Sequence, residues 1–558
     1  MFSPPPPCFW HVLTLIQDIA LTPVQENFGS HVKGIDRPTN TYPTSIQVTK
    51  RWLDECRASH KSCKAVRKSP DCSVVTRLLR IAPDAKSLCL QDHLPSDTQY
   101  ATLSHCWGKL DILRLTKATL EEFHLSIPLE KLCRTFQDAI LVTRGVGLEY
   151  LWIDSLCIVQ DDDGDWLAES ALMGSIYNGS SLNIAAVSAR DGNGGLYLPN
   201  PDTPDRAKAS RFQVNINERL ETFQFADSRT YTRCVTEEPL VSRGWTVQER
   251  ILSPRTVYFS RSEAFWECAE KNASETLPDG FPDFLLGVLG YLKPTQKLSW
   301  SDVVRIYSTT NLTNPRDKLI ALSGVARHIQ KSTKDHYLAG LWLQDLIHTL
   351  GWSTTELPAP GTPLKPRPAV YRAPTWSWAS TDSEISFPNI KIDEPTVHRC
   401  ISILDYHIEA SAEHQFGEVT GGTLTLSCEI LLSCKFGPKD KDPYSQLISL
   451  RGWEILGKLA WDCDFGPQAT RPRQYVFLVM EMYLETSRLF WLEGLVLCPS
   501  GNRRGRYERL GHLSVKMPSL KLDDARCRIE NMVPSEEDYR DTFMTIVGQR
   551  RRYVVDII

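Results

Sequence analysis

Between Tyr100 and Cys268 short, almost wholly apolar runs alternate with segments of helical period, and this alternation restricts the chain more than any other feature. Tyr100–Trp107 reads as a strand, Leu132–Arg144 as a helix and Tyr150–Ile158 as a second strand. Asp165–Tyr177 reads as a helix, with Asp163 and Asp165 placed to cap its positive end. Ser181–Ser188 is the next strand, and a glycine-rich turn follows at Gly192–Gly195. A helix is expected to start near Arg243–Arg250, with strands after it at Thr256–Ser260 and Ala264–Cys268. Strands and helices in this order build right-handed βαβ units and a largely parallel sheet. Helices cover both faces of such a sheet, so its strands lose inside–outside alternation, and Tyr150–Ile158 has that near-continuous apolar character. The expected fold class is α/β, with Tyr100–Trp107 and Tyr150–Ile158 as adjacent central strands.

The flanking regions read differently. At 558 residues the chain exceeds one core. Residues 1–43, rich in proline and polar residues, are expected to be a disordered extension. Residues 44–99 are expected to hold a leader helix over Val48–Val66, a strand at Val74–Ile81 and a polar connection, Pro83–Gln99. Residues 276–385 look helical at Trp300–Tyr307, Asp317–His328 and Tyr337–Leu350, with a proline-rich loop at Pro358–Pro368. From 386 to 558 short apolar runs such as Thr423–Leu432, Tyr475–Tyr483 and Leu489–Leu497 predict an antiparallel, β-rich region.

With 63 basic against 67 acidic residues the net charge is −4, so no global field favours nucleic acid or a membrane surface. No apolar run is long enough for a membrane span, and the stretch around Cys8–Ala20 lacks the basic flank of a signal peptide. The 16 cysteines, dispersed over a long chain, fit free thiols in a reducing cytoplasm better than a disulfide scaffold.

Three blocks of residues carry a resemblance. They are Tyr100-Ala-Thr-Leu-Ser104-His-Cys-Trp107-Gly108; Leu151-Trp-Ile-Asp154-Ser-Leu-Cys157-Ile-Val-Gln160 followed by Met173-Gly-Ser-Ile-Tyr177; and Ser242-Arg243-Gly244-Trp245-Thr-Val-Gln248-Glu249-Arg250-Ile-Leu-Ser253-Pro254-Arg255. In this order they resemble the fungal heterokaryon incompatibility (HET) domain, which would occupy residues 100–275. Trp52, Cys56, His60 and Cys63 look like that family's leader helix, and Ala373-Pro-Thr-Trp376-Ser-Trp378-Ala-Ser380 and Tyr507-Glu-Arg-Leu-Gly511 resemble its downstream segments. His105 stands where the family often has tyrosine. The resemblance implies vegetative incompatibility and programmed cell death, self-association and a non-self recognition partner. It also implies a flavodoxin-like parallel sheet similar to the Toll/interleukin-receptor (TIR) fold. Some TIR proteins cleave NAD⁺ with the glutamate of a Trp-x-x-x-Glu motif, and Trp245 and Glu249 have that spacing.

One glutamate suffices for that chemistry. Nicotinamide leaves NAD⁺ as a neutral ring and needs no proton, so one carboxylate stabilising an oxocarbenium-like ribose can do the work. On a helix Trp245 and Glu249 share a face, so the indole can stack on a planar ring while Glu249 reaches the sugar. Ser104 and His105 end the first strand and Asp154 ends the second, where ligands bind in doubly wound sheets. The expected site is Glu249 as catalytic residue, with Ser104, His105, Asp154, Arg243 and Trp245 binding substrate. NAD⁺ enters as a possible substrate and not as a cofactor. Against this stands a structural role in which Glu249 pairs with Arg243 or Arg255 and locks the third block in place. An accessory protein of a metabolic gene cluster would have the same motifs.

Other constellations are weaker. A Ser104–His105–Asp154 triad is opposed by adjacent strand residues facing opposite ways. Cys56, His60 and Cys63, with Cys72, tempt a zinc assignment, but their spacing is that of one helix face packing in a core, and no metal is expected. Asp161–Asp163 and Asp165 lack the glycine and glutamate of a calcium loop. The arginines at 503, 504, 506 and 509 read as a solvated loop, and those at 550–552 as an edge-strand charge run.

Overall fold

A computed structural model describes residues 19–23, 44–66, 75–196, 211–216, 219–227, 229–281, 299–354, 365–388, 397–410, 415–439, 445–450, 453–464, 475–486, 489–500, 505–518, 543–547 and 550–558. The chain divides into two compact units, Met1–Leu298 and Ser299–Ile558. Of the extension expected over residues 1–43, only Ile19–Pro23 is described, and it is a strand; the rest lies outside the described residues.

In the first unit the strands are β1 (Ile19–Pro23), β2 (Arg77–Ile81), β3 (Leu88–Asp92), β4 (Tyr100–Ser104), β5 (Tyr150–Trp152), β6 (Leu182–Ala185), β7 (Arg211–Ile216), β8 (Arg219–Asp227), β9 (Arg255–Phe259), β10 (Ala264–Cys268) and β11 (Asn272–Ser274). An 8-stranded sheet runs β11-β10-β9-β6-β4-β5-β2-β3, and β1, β8 and β7 form a separate antiparallel sheet. The centre, β9-β6-β4-β5, is parallel, with β4 and β5 adjacent. Along the chain these four are taken in the spatial order second, first, third, fourth. β4, β6 and β9 are buried along their whole length, as strands covered on both faces must be.

The sheet is nevertheless mixed, which corrects the expectation of a parallel one. β2, β3, β10 and β11 add antiparallel strands at its flanks. Their connections, such as 82–87 and 260–263, are far too short for the dozen or more residues that a parallel crossover needs. β3 also lies in a stretch whose polarity suggested only a connection.

The helices of this unit are α1 (Thr44–Ser59), α2 (Lys61–Val66), α3 (Leu120–Leu125), α4 (Arg134–Gly145), α5 (Asp154–Cys157), α6 (Asp163–Gly179) and α7 (Trp245–Leu252). The single leader helix breaks at His60: Ser59 Oγ turns back on Glu55 O and Lys64 Nζ takes Ala58 O, so side chains compete for carbonyls at the break. The strand expected over Tyr150–Ile158 stops at Trp152, because Leu156 and Cys157 N–H groups both bond Ile153 O and start α5. The cap of α6 comes from Asp162, whose carboxylate accepts the N–H groups of Gly164 and Asp165 at 3.0 and 3.3 Å.

In the second unit, α8 (Trp300–Ser308) carries a Ser299/Asp302 capping box and α9 (Ser323–Thr333) follows. The helix expected over Tyr337–Leu350 is instead a hairpin, β12 (Tyr337–Leu338) with β13 (Leu341–Trp342), then the short α10 (Leu346–Thr349). Ala339 and Gly340 both have positive φ, the geometry of a two-residue hairpin turn, which outweighs the helical spacing of the apolar residues. β14 (Ser353–Thr354) pairs with β15 (Ile385–Ser386).

The C-terminal region is the antiparallel β-structure anticipated, with a topology that apolar runs do not encode. After β16 (Val397–Arg399), β17 (Ile401–Ala410) and β18 (Val419–Cys428) come β19 (Leu431–Lys439), β20 (Ser445–Leu450), β21 (Trp453–Trp461), β22 (Tyr475–Thr486), β23 (Leu489–Pro499) and β24 (Arg506–Pro518). From β19 onward each pairs with its neighbours in the cycle β19-β20-β21-β24-β23-β22-β19, closing a ring of antiparallel strands. Leu432, Ile448, Phe477, Val479, Leu492, Val496, Leu513 and Val515 share one buried cluster in this ring. β25 (Phe543–Val547) and β26 (Arg550–Ile557) complete the region, and β26 pairs with β18, β24 and β25.

One arginine expectation fails here and another does not. Among the described residues Arg550–Arg552 pair with β25 alone, since β18 joins β26 only from Tyr553 and β24 from Asp556, so they open the strand on an unpaired side, and Arg552 meets Glu429 at 2.9 Å. Arg509, far from solvated, is fully buried with Asp462 (Nε to Oδ2 3.0 Å), donates to the carbonyls of Leu350 and Trp352, and lies 3.5 Å over the Trp352 ring. Arg503 and Arg504 lie outside the described residues.

Candidate functional site

The carboxyl end of β4 supplies Ser104 and His105, the end of β5 supplies Asp154, and α7, which lies between the third and fourth parallel strands, supplies Glu249. Arg243 precedes α7. Direct contacts tie the three sequence blocks together. Trp107 Nε1 donates to Asp154 Oδ2 at 2.9 Å, joining the first block to the second. A guanidinium N–H of Arg243 donates to the carbonyl of His105, joining the third to the first. Gly108 lets the first block turn: its φ is +66°, and a Cβ there would lie 2.4 Å from Asp191 Cβ.

Ser104 and His105 face different surroundings, as neighbours at a strand end do. Ser104 is bonded to Asn183 Oδ1 at 3.2 Å on β6, which also receives Thr102 Oγ1 at 3.1 Å. His105 packs edge-on against Phe136 of α4 at 5.0 Å and stacks with Trp107 at 6.5 Å. Its Nδ1 lies 3.9 Å from Asp154 Oδ1, and its buried Nε2 has no hydrogen-bond partner among the described residues. Burial depresses the imidazole to about 4, with Arg243 adding to the effect and Asp154 opposing it, so the ring is neutral at pH 7.

Glu249 is the most unusual group of the cluster. It is 5% exposed, and its Oε2 has no hydrogen-bond partner among the described residues. Burial pushes its carboxyl up to about 7; Arg243 and the hydroxyls of Ser104 and Tyr177 pull it down, and Asp154 pushes it further up. The same four groups therefore surround it. Among the described residues neither arginine of the structural alternative forms an ion pair with it: Arg243 is turned to His105, and Arg255 donates to Cys56 Sγ at 3.0 Å and Ser181 O at 3.5 Å. Trp245, one turn before Glu249, is half-buried. Trp152 is core, fully buried and edge-on to Tyr177 at 5.7 Å.

Two residues of the cluster were not singled out from sequence. Tyr177 closes the second block, and its hydroxyl donates to Leu103 O at 3.2 Å. Its signal is its place at the end of an apolar helix face. Asn183 is a lone amide within the apolar run Ser181–Ser188, and a buried amide needs partners, which is a legible hint of a polar centre.

Residues 100–249 match the family model of the heterokaryon incompatibility protein (HET), so the chain carries a HET segment containing all the residues of this cluster. The sheet continues past the match through β9, β10 and β11. No curated protein and no solved structure matches the chain.

Proposed function

We propose that this chain is a heterokaryon-incompatibility protein of fungal non-self recognition, and that its HET segment executes cell death by cleaving the nicotinamide–ribose bond of NAD⁺ at Glu249. The observation that supports the reading is a buried glutamate whose Oε2 has no hydrogen-bond partner among the described residues and which lies at the carboxyl ends of the parallel strands. Burying a carboxyl with one oxygen unbonded is costly to stability, and a titratable group displaced in this way at strand ends is a candidate functional site. The four central parallel strands, in the order second, first, third, fourth, support a flavodoxin-like and TIR-like reading of the sheet's centre.

In the reaction the C1′–N bond breaks with its electron pair going to the nicotinamide ring, which leaves neutral. Water adds to the oxocarbenium-like ribose and releases a proton to solvent. Glu249 as carboxylate offsets the developing positive charge, and a cationic pyridinium drawn near it favours that ionised form. Ser104 and Asp154 would orient the ribose hydroxyls, Arg243 a phosphate, and Trp245 would stack on a ring. His105, kept neutral, adds no competing charge. Because Glu249 is nearly inaccessible, the resting site is closed, and self-association or a recognition partner in the cytoplasm would open it.

The test is nicotinamide release from NAD⁺ by the full chain forced to assemble, beside Glu249→Gln at equal abundance. Nicotinamide from the parent alone supports the reading. Full killing by Glu249→Gln, or killing by the parent while cellular NAD⁺ stays constant, would show that the domain acts as a scaffold.

A further inference from the structure

Away from the glutamate cluster, three thiols and an imidazole meet at the junction of leader and sheet. Cys56 lies on α1, His60 at the helix break, Cys63 on α2, and Cys268 is the last residue of β10, 208 residues after His60. All four are buried, and their ligand atoms lie within 4.8 Å of one another. His60 Nδ1 is 3.8 Å from Cys63 Sγ and 3.4 Å from Cys268 Sγ. In a tetrahedral zinc site, bonds of about 2.3 Å to sulfur and 2.0–2.1 Å to nitrogen place neighbouring ligand atoms roughly 3.5–3.8 Å apart. Cys56, His60 and Cys63 share one face across the junction of α1 and α2, where His60 N–H still bonds Cys56 O at 3.3 Å and Lys64 N–H bonds His60 O at 3.3 Å. The sequence reading set Cys56, His60 and Cys63 aside as a packed helix face; its fourth donor, Cys72, lies outside the described residues, and Cys268 was invisible to it.

We propose that Cys56, His60, Cys63 and Cys268 hold a structural zinc ion that fastens the leader helices to the end of β10. Three sulfurs and one nitrogen form a soft set suited to zinc, and four protein ligands leave no open position, as in structural sites. Packing alone explains the arrangement poorly. Buried thiols normally face apolar atoms, whereas these turn their polar atoms toward one another. A disulfide between any two would leave the third thiol and the imidazole without a role. The surroundings also suit thiolates bound to a cation. Arg255 Nε donates to Cys56 Sγ at 3.0 Å, and the backbone N–H groups of Ala269 and Glu270 donate to Cys63 and Cys268. Zinc with three thiolates and a neutral imidazole carries one net negative charge, which the Arg255 guanidinium offsets. Around the site the leader is already docked on the same sheet edge: Trp52 meets Trp266 at 5.9 Å, and Lys271 meets Glu55 at 2.9 Å.

The experiment is metal analysis of the full chain purified under reducing conditions without chelator. About one zinc per chain is expected for the parent, and at least a tenfold loss for Cys268→Ser. Less than about a tenth of a zinc per chain, both as purified and after the reduced protein is incubated with zinc chloride, overturns the proposal. Full zinc in Cys268→Ser overturns it equally. If that variant does not accumulate, the parent is stripped and loaded with Co²⁺: an intense thiolate-to-cobalt absorption band supports the site, and its absence overturns it. None of these readouts depends on NAD⁺ chemistry.

Discussion

One site in each unit buries charge, and the two do so differently. In the second, Arg509 and Asp462 are fully buried, yet Arg509 meets both carboxylate oxygens, two backbone carbonyls and the face of Trp352. In the first, Glu249 keeps an oxygen and His105 a ring nitrogen without hydrogen-bond partners among the described residues, and both groups are displaced toward their neutral forms. Burial also pushes the Asp462 carboxyl up and the Arg509 guanidinium down, but there a direct, hydrogen-bonded ion pair opposes it, whereas no direct ion pair among the described residues opposes it at Glu249. A saturated pair can only hold a structure together, whereas an unsaturated pair of titratable groups retains the capacity to meet something else.

Breaking the saturated side should have the largest effect. Arg509→Met strands the Asp462 carboxylate and should cost about 3–5 kcal/mol of stability by chemical denaturation. Adding Asp462→Leu should recover part of this, because the carbonyls of Leu350 and Trp352 stay unpaired. A loss under about 1 kcal/mol for the single variant would mean that the pair behaves like an exposed one.

On the unsaturated side, Glu249→Gln should lower the nicotinamide release of assembled protein about 10²–10³-fold, near 3–4 kcal/mol in the barrier, without lowering stability. Low abundance of this variant would place Glu249 with the structural pairs after all.

The pH dependence sharpens the contrast. For Glu249, raised from 4.5 to about 7, the folded state keeps a proton that the unfolded chain releases. That contribution is present below pH 4.5 and is lost as pH rises to about 7. For His105, lowered from 6.5 to about 4, the contribution is present above pH 6.5 and is lost as pH falls to about 4. Each amounts to about 3 kcal/mol, and between pH 4.5 and 6.5 the two slopes oppose and nearly cancel. Removing Glu249 with Gln should therefore make stability rise with pH across that window relative to the parent. Parallel denaturation midpoints for the two proteins at pH 4.5, 5.5 and 6.5 would refute the assignment.

The smallest effect probes ordinary scaffolding. Asp162→Ala removes the cap of α6, the helix that carries Tyr177, and should lower the denaturation midpoint slightly with little change in activity. An activity loss far beyond the stability loss would show that α6 positions Tyr177 for the reaction.

Much of the first unit was legible because its signals are local. Apolar runs and helical periods marked β4, β5, β6, α4, α6, α7, β9 and β10, and the three blocks marked where side-chain chemistry would gather. The misreadings also have physical causes. Tyr337–Leu350 has helical spacing, but a turn with two positive-φ residues made it a hairpin. Arg509 sits in an arginine-rich stretch that reads as solvated, and only a distant aspartate and two carbonyls make its burial tolerable.

What the sequence determined by itself was element type, the α/β character of the first unit, the β-character of the C-terminal region and the HET resemblance. These rest on periodicity and on residues close together along the chain. Only the tertiary structure decided that the central sheet is mixed, that strands β19–β24 close into a ring, and that Asn183 and Tyr177 join Ser104 and Glu249. It alone set Cys268 beside Cys56, His60 and Cys63. Such choices depend on which distant segments meet, and on how burial then alters the cost of each charge, neither of which leaves a local pattern to read.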